Sequence, residues 1–327
     1  MQPGDVLTEP LYNHVRRPGW GLAILAGQAE DKREYQFQDG TQRIIKEGYW
    51  DLMQPVDQPF DRAQKIVREL KSMLRAARSR EAAAGTAKKS GPPPVSFQEQ
   101  HQFFRARLFA EGLAGDEWKS KVRGEGANKR RKRHRDAAIV HAQELLAKDA
   151  LEELIYDGDF AEIRKRVHAV LTATDLTASS DTAPLRRLPE AAEPELAENL
   201  VYMLYGEGPF ASRFDRFTTA LATQTNERVR WPMSSALAAL VHPNDHVCVK
   251  PNVFREQARW MAPSFRYTPT PSGASYMRLL DVAKSVQKKL IEAGEPVRDL
   301  MDVFDFIHET LRPKARKEIE AARAPEI

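Results

Sequence analysis

The chain has 327 residues, 42 % hydrophobic and 29 % charged, with a net charge of +4. That length holds two domains, or one large domain and a small module, and the apolar fraction excludes a wholly disordered chain. A single cysteine, Cys248, excludes an internal disulfide framework and fits a reducing, cytoplasmic compartment. The start MQPGDVLTEP lacks a signal peptide's apolar run, and no stretch approaches the roughly 18 apolar residues of a membrane span.

Residues 4–56 read as β structure. GDVL opens a short strand, and GWGLAILAG (19–27) is a second, bounded by glycines. EYQFQDGTQRII (34–45) alternates Tyr35 and Phe37 with polar residues, turns at Asp39-Gly40 and resumes at Ile44-Ile45, which is a hairpin pattern. Short strands at this density predict a small barrel over 1–57. Over 58–84 the period changes. Ala63, Ile66, Val67, Leu70, Leu74 and Ala77 fall on one face of an amphipathic, charged helix. GTAKKSGPPPV follows, and three successive prolines make 85–95 a linker.

From 96 to 327 helix signals dominate. The predicted helices are 98–111, 136–156, one carrying Phe160, Ile163, Val167, Val170 and Leu171, 273–294 ending in glycine, and 296–313 bounded by prolines. One or two short strands are expected near 246–250. The fold class is therefore a small all-β barrel followed by a mostly α-helical domain.

The N-terminal pattern GDVLTEP…RRPGWGLAIL…EYQFQDGTQRIIKEGYWDLMQPV resembles the small bacterial Tudor/SH3-like domain in the tails of UvrD/PcrA-type helicases. More distantly it resembles the CarD-type RNA-polymerase-interacting domain. The resemblance rests on Gly4-Asp5, Pro18 with Trp20-Gly21, Phe37 before Asp39-Gly40, and Leu52–Pro55–Val56. The stretch LTEPLYNHVRR intervenes where the family has a shorter loop. The resemblance implies a docking module for RNA polymerase, a helicase or nucleic acid, without catalysis. Trp20, Tyr49 and Trp50, framed by Arg16, Arg17 and Arg43, are its candidate partner-binding residues, although Trp20 equally suits a barrel core. The segment RWPMSSALAALVHPNDHVCVKPNVFREQARWM resembles only uncharacterised bacterial helical proteins, and Asn252 reads there as a helix cap.

NKRRKRHRD (128–136) concentrates the charge. Lys129, Arg130, Arg131, Lys132, Arg133 and Arg135 carry +6, which leaves the rest of the chain at −2. Cations oppose the dipole at the start of a helix, so local folding does not explain the run, whether a helix begins near Asn128 or at an Asp136 cap. Phosphates of a nucleic acid would explain it. So would a solvated face, or pairing with Glu144, Glu152 and Glu153. No aromatic residue interleaves to stack on single-stranded bases.

Catalytic patterns are weak. His242, Asp245, His246 and Cys248 are zinc-type ligands at a spacing that matches no paired motif. YGEGPFASRF lacks the lysine of a P-loop and reads as a helix stop and restart. Asp302, Asp305 and Glu309 lie on one helix and suit a solvated surface. Phe210, Phe214, Phe217 and Leu221 form a core stripe. The expectation is an adaptor with no cofactor and no metal. It would bind nucleic acid or its transcription and repair machinery. The alternative is a protein-binding scaffold, for stress or phage defence, whose basic run meets an acidic partner.

Overall fold

The computed structural model of the chain describes residues 9–28, 31–86 and 93–323. The chain separates into two compact units. Met1–Pro93 with Ser264–Thr268 forms the first, and Pro94–Pro263 with Pro269–Ile327 the second.

The first unit is a five-stranded antiparallel sheet in the order β4-β3-β2-β1-β5. Its strands are β1 Leu11–His14, β2 Ala23–Gln28, β3 Lys32–Phe37, β4 Gln42–Lys46 and β5 Met53–Val56. Alternation sends successive side chains to opposite faces. Ala23, Tyr35, Phe37, Ile45 and Met53 gather on one face, with Tyr12, Trp20, Leu25 and Trp50 packed against them. Leu11 and Ile24 point the other way, onto Ala63, Ile66, Val67 and Leu70 of helix α1 (Phe60–Thr86). The amphipathic helix therefore covers one sheet face.

The predicted hairpin is present. Gly40 takes φ +79° and the Asp39 carboxylate accepts from the Thr41 N–H at 3.0 Å. A Cβ on Gly40 would collide with the Arg266 carbonyl, so this position needs glycine for space as well as for dihedral angle.

Two expectations change here. Among the described residues the sheet is not closed: β4 and β5 end the strand order, and Pro55, which cannot donate to a ladder, suits such an edge. The first described strand is Leu11–His14, inside the stretch expected to be an intervening loop, and pairs from Leu11↔Val56 to His14↔Met53. The predicted GDVL strand lies outside the described residues, as do residues 87–92 of the linker.

The second unit is helical. After α2 (Phe97–Phe103) and α3 (Asp116–Trp118) come α4 (Arg135–Leu145), α5 (Lys148–Tyr156) and α6 (Phe160–Thr172). The short α7 (Ala183–Arg186) precedes α8 (Glu193–Tyr205), α9 (Phe210–Thr225) and α10 (Trp231–Val241). Then follow α11 (Pro251–Met261), α12 (Gly273–Glu292), α13 (Leu300–Leu311) and α14 (Pro313–Ala322). Every residue of α10 is buried, as expected of a helix apolar on all sides at the centre of a core. Phe210, Phe214, Phe217 and Leu221 are core residues of α9. Tyr205-Gly206 does stop one helix before Phe210 starts the next.

The predicted 136–156 helix breaks at Leu146, whose carbonyl accepts from the Tyr205 hydroxyl at 2.6 Å. No strand forms at 246–250. The Val247 N–H donates to the Tyr276 hydroxyl at 3.1 Å and the Val249 N–H to Ser235 Oγ at 2.9 Å, so side chains replace a partner strand. The last long helix starts at Leu300 instead of Pro296. Asp299 caps it by accepting from the N–H groups of Met301 and Asp302. Helix α11 starts at Pro251 with Lys250, and not Asn252, at the cap position.

The two-faced sheet is testable by denaturation. Phe37→Ala removes a fully buried ring that meets Trp20 edge-on at 5.3 Å. It should cost the first unit about 3–5 kcal/mol in urea unfolding, whereas Ile44→Thr, on the exposed side of β4, should cost under about 0.5 kcal/mol.

Candidate nucleic-acid interface

A loop runs from the end of α3 to the start of α4, and a buried arginine fixes each end. Helix α3 widens into a π-helical turn, Lys119–Arg123, that Gly124 ends at φ +86°. The turn directs Arg123 inward, where it is 1 % exposed. Arg123 Nε donates to Asp302 Oδ1 at 2.8 Å, and its two terminal nitrogens donate to both oxygens of Asp299 at 2.9 and 2.6 Å. Trp118 Nε1 and the Arg298 N–H donate to the same Asp302 carboxylate, each at 2.9 Å.

At the other end Arg135, 3 % exposed, forks onto Asp305 with two bonds of 2.8 Å. It also reaches Asp175 at 2.5 Å. Burial alone would lower the pKa of both guanidinium groups. The facing carboxylates outweigh it and raise both, so the charges are locked on. Asp299, Asp302 and Asp305 recur every third residue on or just before α13, so one helix holds both ends of the loop.

This corrects two sequence expectations. Arg135 does not join a phosphate-contacting patch, because its charge is internal. Asp302 and Asp305 are not a solvated face, because they are the buried counter-charges. The spacing of three was visible in sequence, but nothing local marked which arginines it served.

Between these anchors Lys129, Arg130, Arg131, Lys132 and Arg133 are all exposed. None makes a salt bridge among the described residues, and Glu144, Glu152 and Glu153 do not reach them. The backbone that carries them is tied down. The Arg131 N–H donates to His134 Nδ1 at 3.2 Å, and the Asp175 N–H donates to the Lys132 carbonyl at 3.2 Å. Burial, reinforced by Arg131 and Arg133, lowers the His134 pKa and keeps that ring nitrogen an acceptor. His134 occupies the cap position of α4, and a Cβ on Gly124 would come within 2.7 Å of it. Five unpaired cations thus sit on a restrained loop and point outward.

In the first unit the partner-binding candidates divide. Arg16, Arg17 and Tyr49 are exposed, Tyr49 at 62 %. Arg43 is engaged: it forks onto the buried Asp39 carboxylate at 3.0 and 2.6 Å and lies 4.0 Å over the Trp20 ring. Trp20 also meets His14 edge-on at 4.6 Å. Arg33 covers Trp50 at 4.1 Å, while the Trp50 indole N–H donates to the Ile45 carbonyl. Trp20, Arg43 and Trp50 therefore spend their reach within the unit. Sequence reading missed Arg33 and His14, because cross-strand stacking depends on register and not on any local motif, and it gave Asp39 only as a turn residue and not as the partner of Arg43.

The 242–248 segment forms no metal centre: no group of three His, Cys, Asp or Glu side chains converges among the described residues. Its titratable groups are packed inside. Burial pushes the Cys248 thiol up to about 12. Burial first, and then His242, Arg213 and Lys284, lowers His246 to about 3.

Two measurements test these placements. Arg135→Met strands Asp305 and should cost about 3–5 kcal/mol in thermal unfolding of the helical unit, whereas Arg131→Met should cost under about 0.5 kcal/mol. His246 stays neutral when folded, but its unfolded imidazole takes up a proton below about pH 6.5. Its contribution is therefore complete above that pH and is lost as pH falls toward 3, by roughly 1.4 kcal/mol per unit. Urea unfolding of His246→Leu should show a shallower pH dependence than the parent between about pH 4 and 6.

No protein-family model, no curated protein and no solved structure matches the chain.

Proposed function

We propose that this protein is an adaptor that binds nucleic acid through the 129–133 loop and docks on transcription or repair machinery through its N-terminal sheet unit. The observation that carries the proposal is the set of five exposed, unpaired cations on a loop stapled at both ends by Arg123 and Arg135. Five adjacent like charges repel one another, and among the described residues none is held in an ion pair; only Glu309, whose pKa Arg133 helps to lower, offsets part of that cost. A phosphate backbone offsets it and needs no base reading. The restrained backbone favours the same partner, because little chain entropy is lost when phosphates bind.

The docking half of the proposal is supported by the antiparallel β2-β3-β4 meander with β5 returned beside β1, an order compatible with a Tudor/SH3-like module. The sheet has two edges, and exposed Ile44, Tyr49, Arg16 and Arg17 are available to a partner.

The test is a salt series. Duplex DNA, single-stranded DNA and RNA are titrated by fluorescence anisotropy with the parent and with a variant carrying Lys129, Arg130, Arg131, Lys132 and Arg133 as Gln. If all five cations meet phosphates on duplex DNA, log K should fall against log salt with a slope near −4.5, and the variant should lose most of that slope. Equal affinity and slope for parent and variant would overturn the assignment. No binding to any nucleic acid at low salt, with capture of an acidic protein instead, would turn the loop into a protein contact.

A further inference from the structure

A concave site lies in the helical unit, built from α2, α11 and α12. Its volume is about 410 Å³, and its walls include Ser96, Phe97, His101, Trp260, Lys289 and Ala293. That size suits a small ligand.

One wall is preorganised. Phe97 and His101 stack with ring centroids 5.8 Å apart and planes 7° from parallel. His101 Nε2 is held 2.8 Å from the buried Glu295 carboxylate, which also accepts from Arg105 Nη1 at 3.1 Å and from the Leu113 N–H at 2.8 Å. The Glu295 carboxylate behind this wall is therefore already satisfied.

Lys289 supplies the charge. Its ammonium sits 5.9 Å from the Phe97 ring centre and 5.4 Å from that of Trp260. It makes no salt bridge among the described residues. The Trp260 indole N–H likewise finds no acceptor among them. The seat that two aromatic rings would offer a cationic ligand is taken by the chain's own lysine. What remains unmatched is one positive charge, one N–H donor and two aromatic surfaces.

We infer that this pocket binds a flat aromatic molecule bearing one anionic group, the ring against Trp260 and Phe97 and the anion on Lys289. A charge-assisted bond from the ammonium to the anion supplies orientation, and ring stacking supplies the apolar contact. Two sources share this chemistry, a nucleoside monophosphate and an aromatic carboxylate. The inference stands apart from the nucleic-acid loop, which none of these residues touches.

Isothermal titration of the full chain separates the outcomes. The probes are 5′-AMP, indole-3-acetate and the neutral indole-3-acetamide. At least one anionic probe should bind, with indole-3-acetamide weaker than indole-3-acetate by about tenfold or more if the carboxylate is the source. Lys289→Gln should erase the preference for charge, and Trp260→Leu should weaken the anionic probe by about tenfold. The variant with five Gln at 129–133 should bind as the parent does. Binding of AMP alone assigns the nucleotide source, and binding of indole-3-acetate alone the carboxylate. The inference fails if neither anion binds at about 5 mM, if Lys289→Gln binds them unchanged, or if the 129–133 variant abolishes binding.

Discussion

Two guanidinium groups removed from water, Arg123 and Arg135, organise the helical unit. Each would be expensive to bury alone, and each is offset by fork geometry on a carboxylate, Asp299 for Arg123 and Asp305 for Arg135. Asp299 illustrates the economy. It caps α13 through the N–H groups of Met301 and Asp302 and receives Arg123 on both oxygens. Helix start and ion pair are one device, so α13 cannot begin a turn earlier or later without leaving Arg123 unmatched. The π-helical turn at Lys119–Arg123 belongs to the same constraint, since it sets the direction from which Arg123 enters.

That internal pairing sorts the basic run into two kinds of charge. Its sequence shows seven almost uniform positions. The fold turns His134 and Arg135 inward and leaves five cations outside. Under the proposed function a salt-dependent partner would meet only the second kind, while the first kind holds the ends of the loop. Substitutions at the two kinds of position should therefore separate stability from binding.

Much of the architecture was legible. The Asp39-Gly40 turn, the α1 stripe from Ala63 to Leu70 and the α9 stripe from Phe210 to Leu221 are local patterns, and local patterns survive folding. What failed was non-local. The break at Leu146 depends on a hydroxyl from Tyr205, and the extended 246–250 segment depends on Tyr276 and Ser235. Arg135 looked like its neighbours until Asp305, 170 positions away, was placed beside it. The first described strand hid in a stretch without alternating hydrophobicity, because only Leu11 of its four residues reaches the α1 core. The Lys289 pocket joins α2 to the consecutive helices α11 and α12, far later in the chain, and left no motif.

The first unit is discontinuous in sequence, since Ser264–Thr268 belongs with Met1–Pro93. Gly40 is crowded by the backbone of that later segment. During synthesis the sheet can pair and α1 can cover it early. Arg266, which packs at Gly40, is made 226 residues after it (266 − 40), which at roughly 5–20 residues per second is a delay of about 11–45 s. Through that interval the hairpin stands with one flank uncovered.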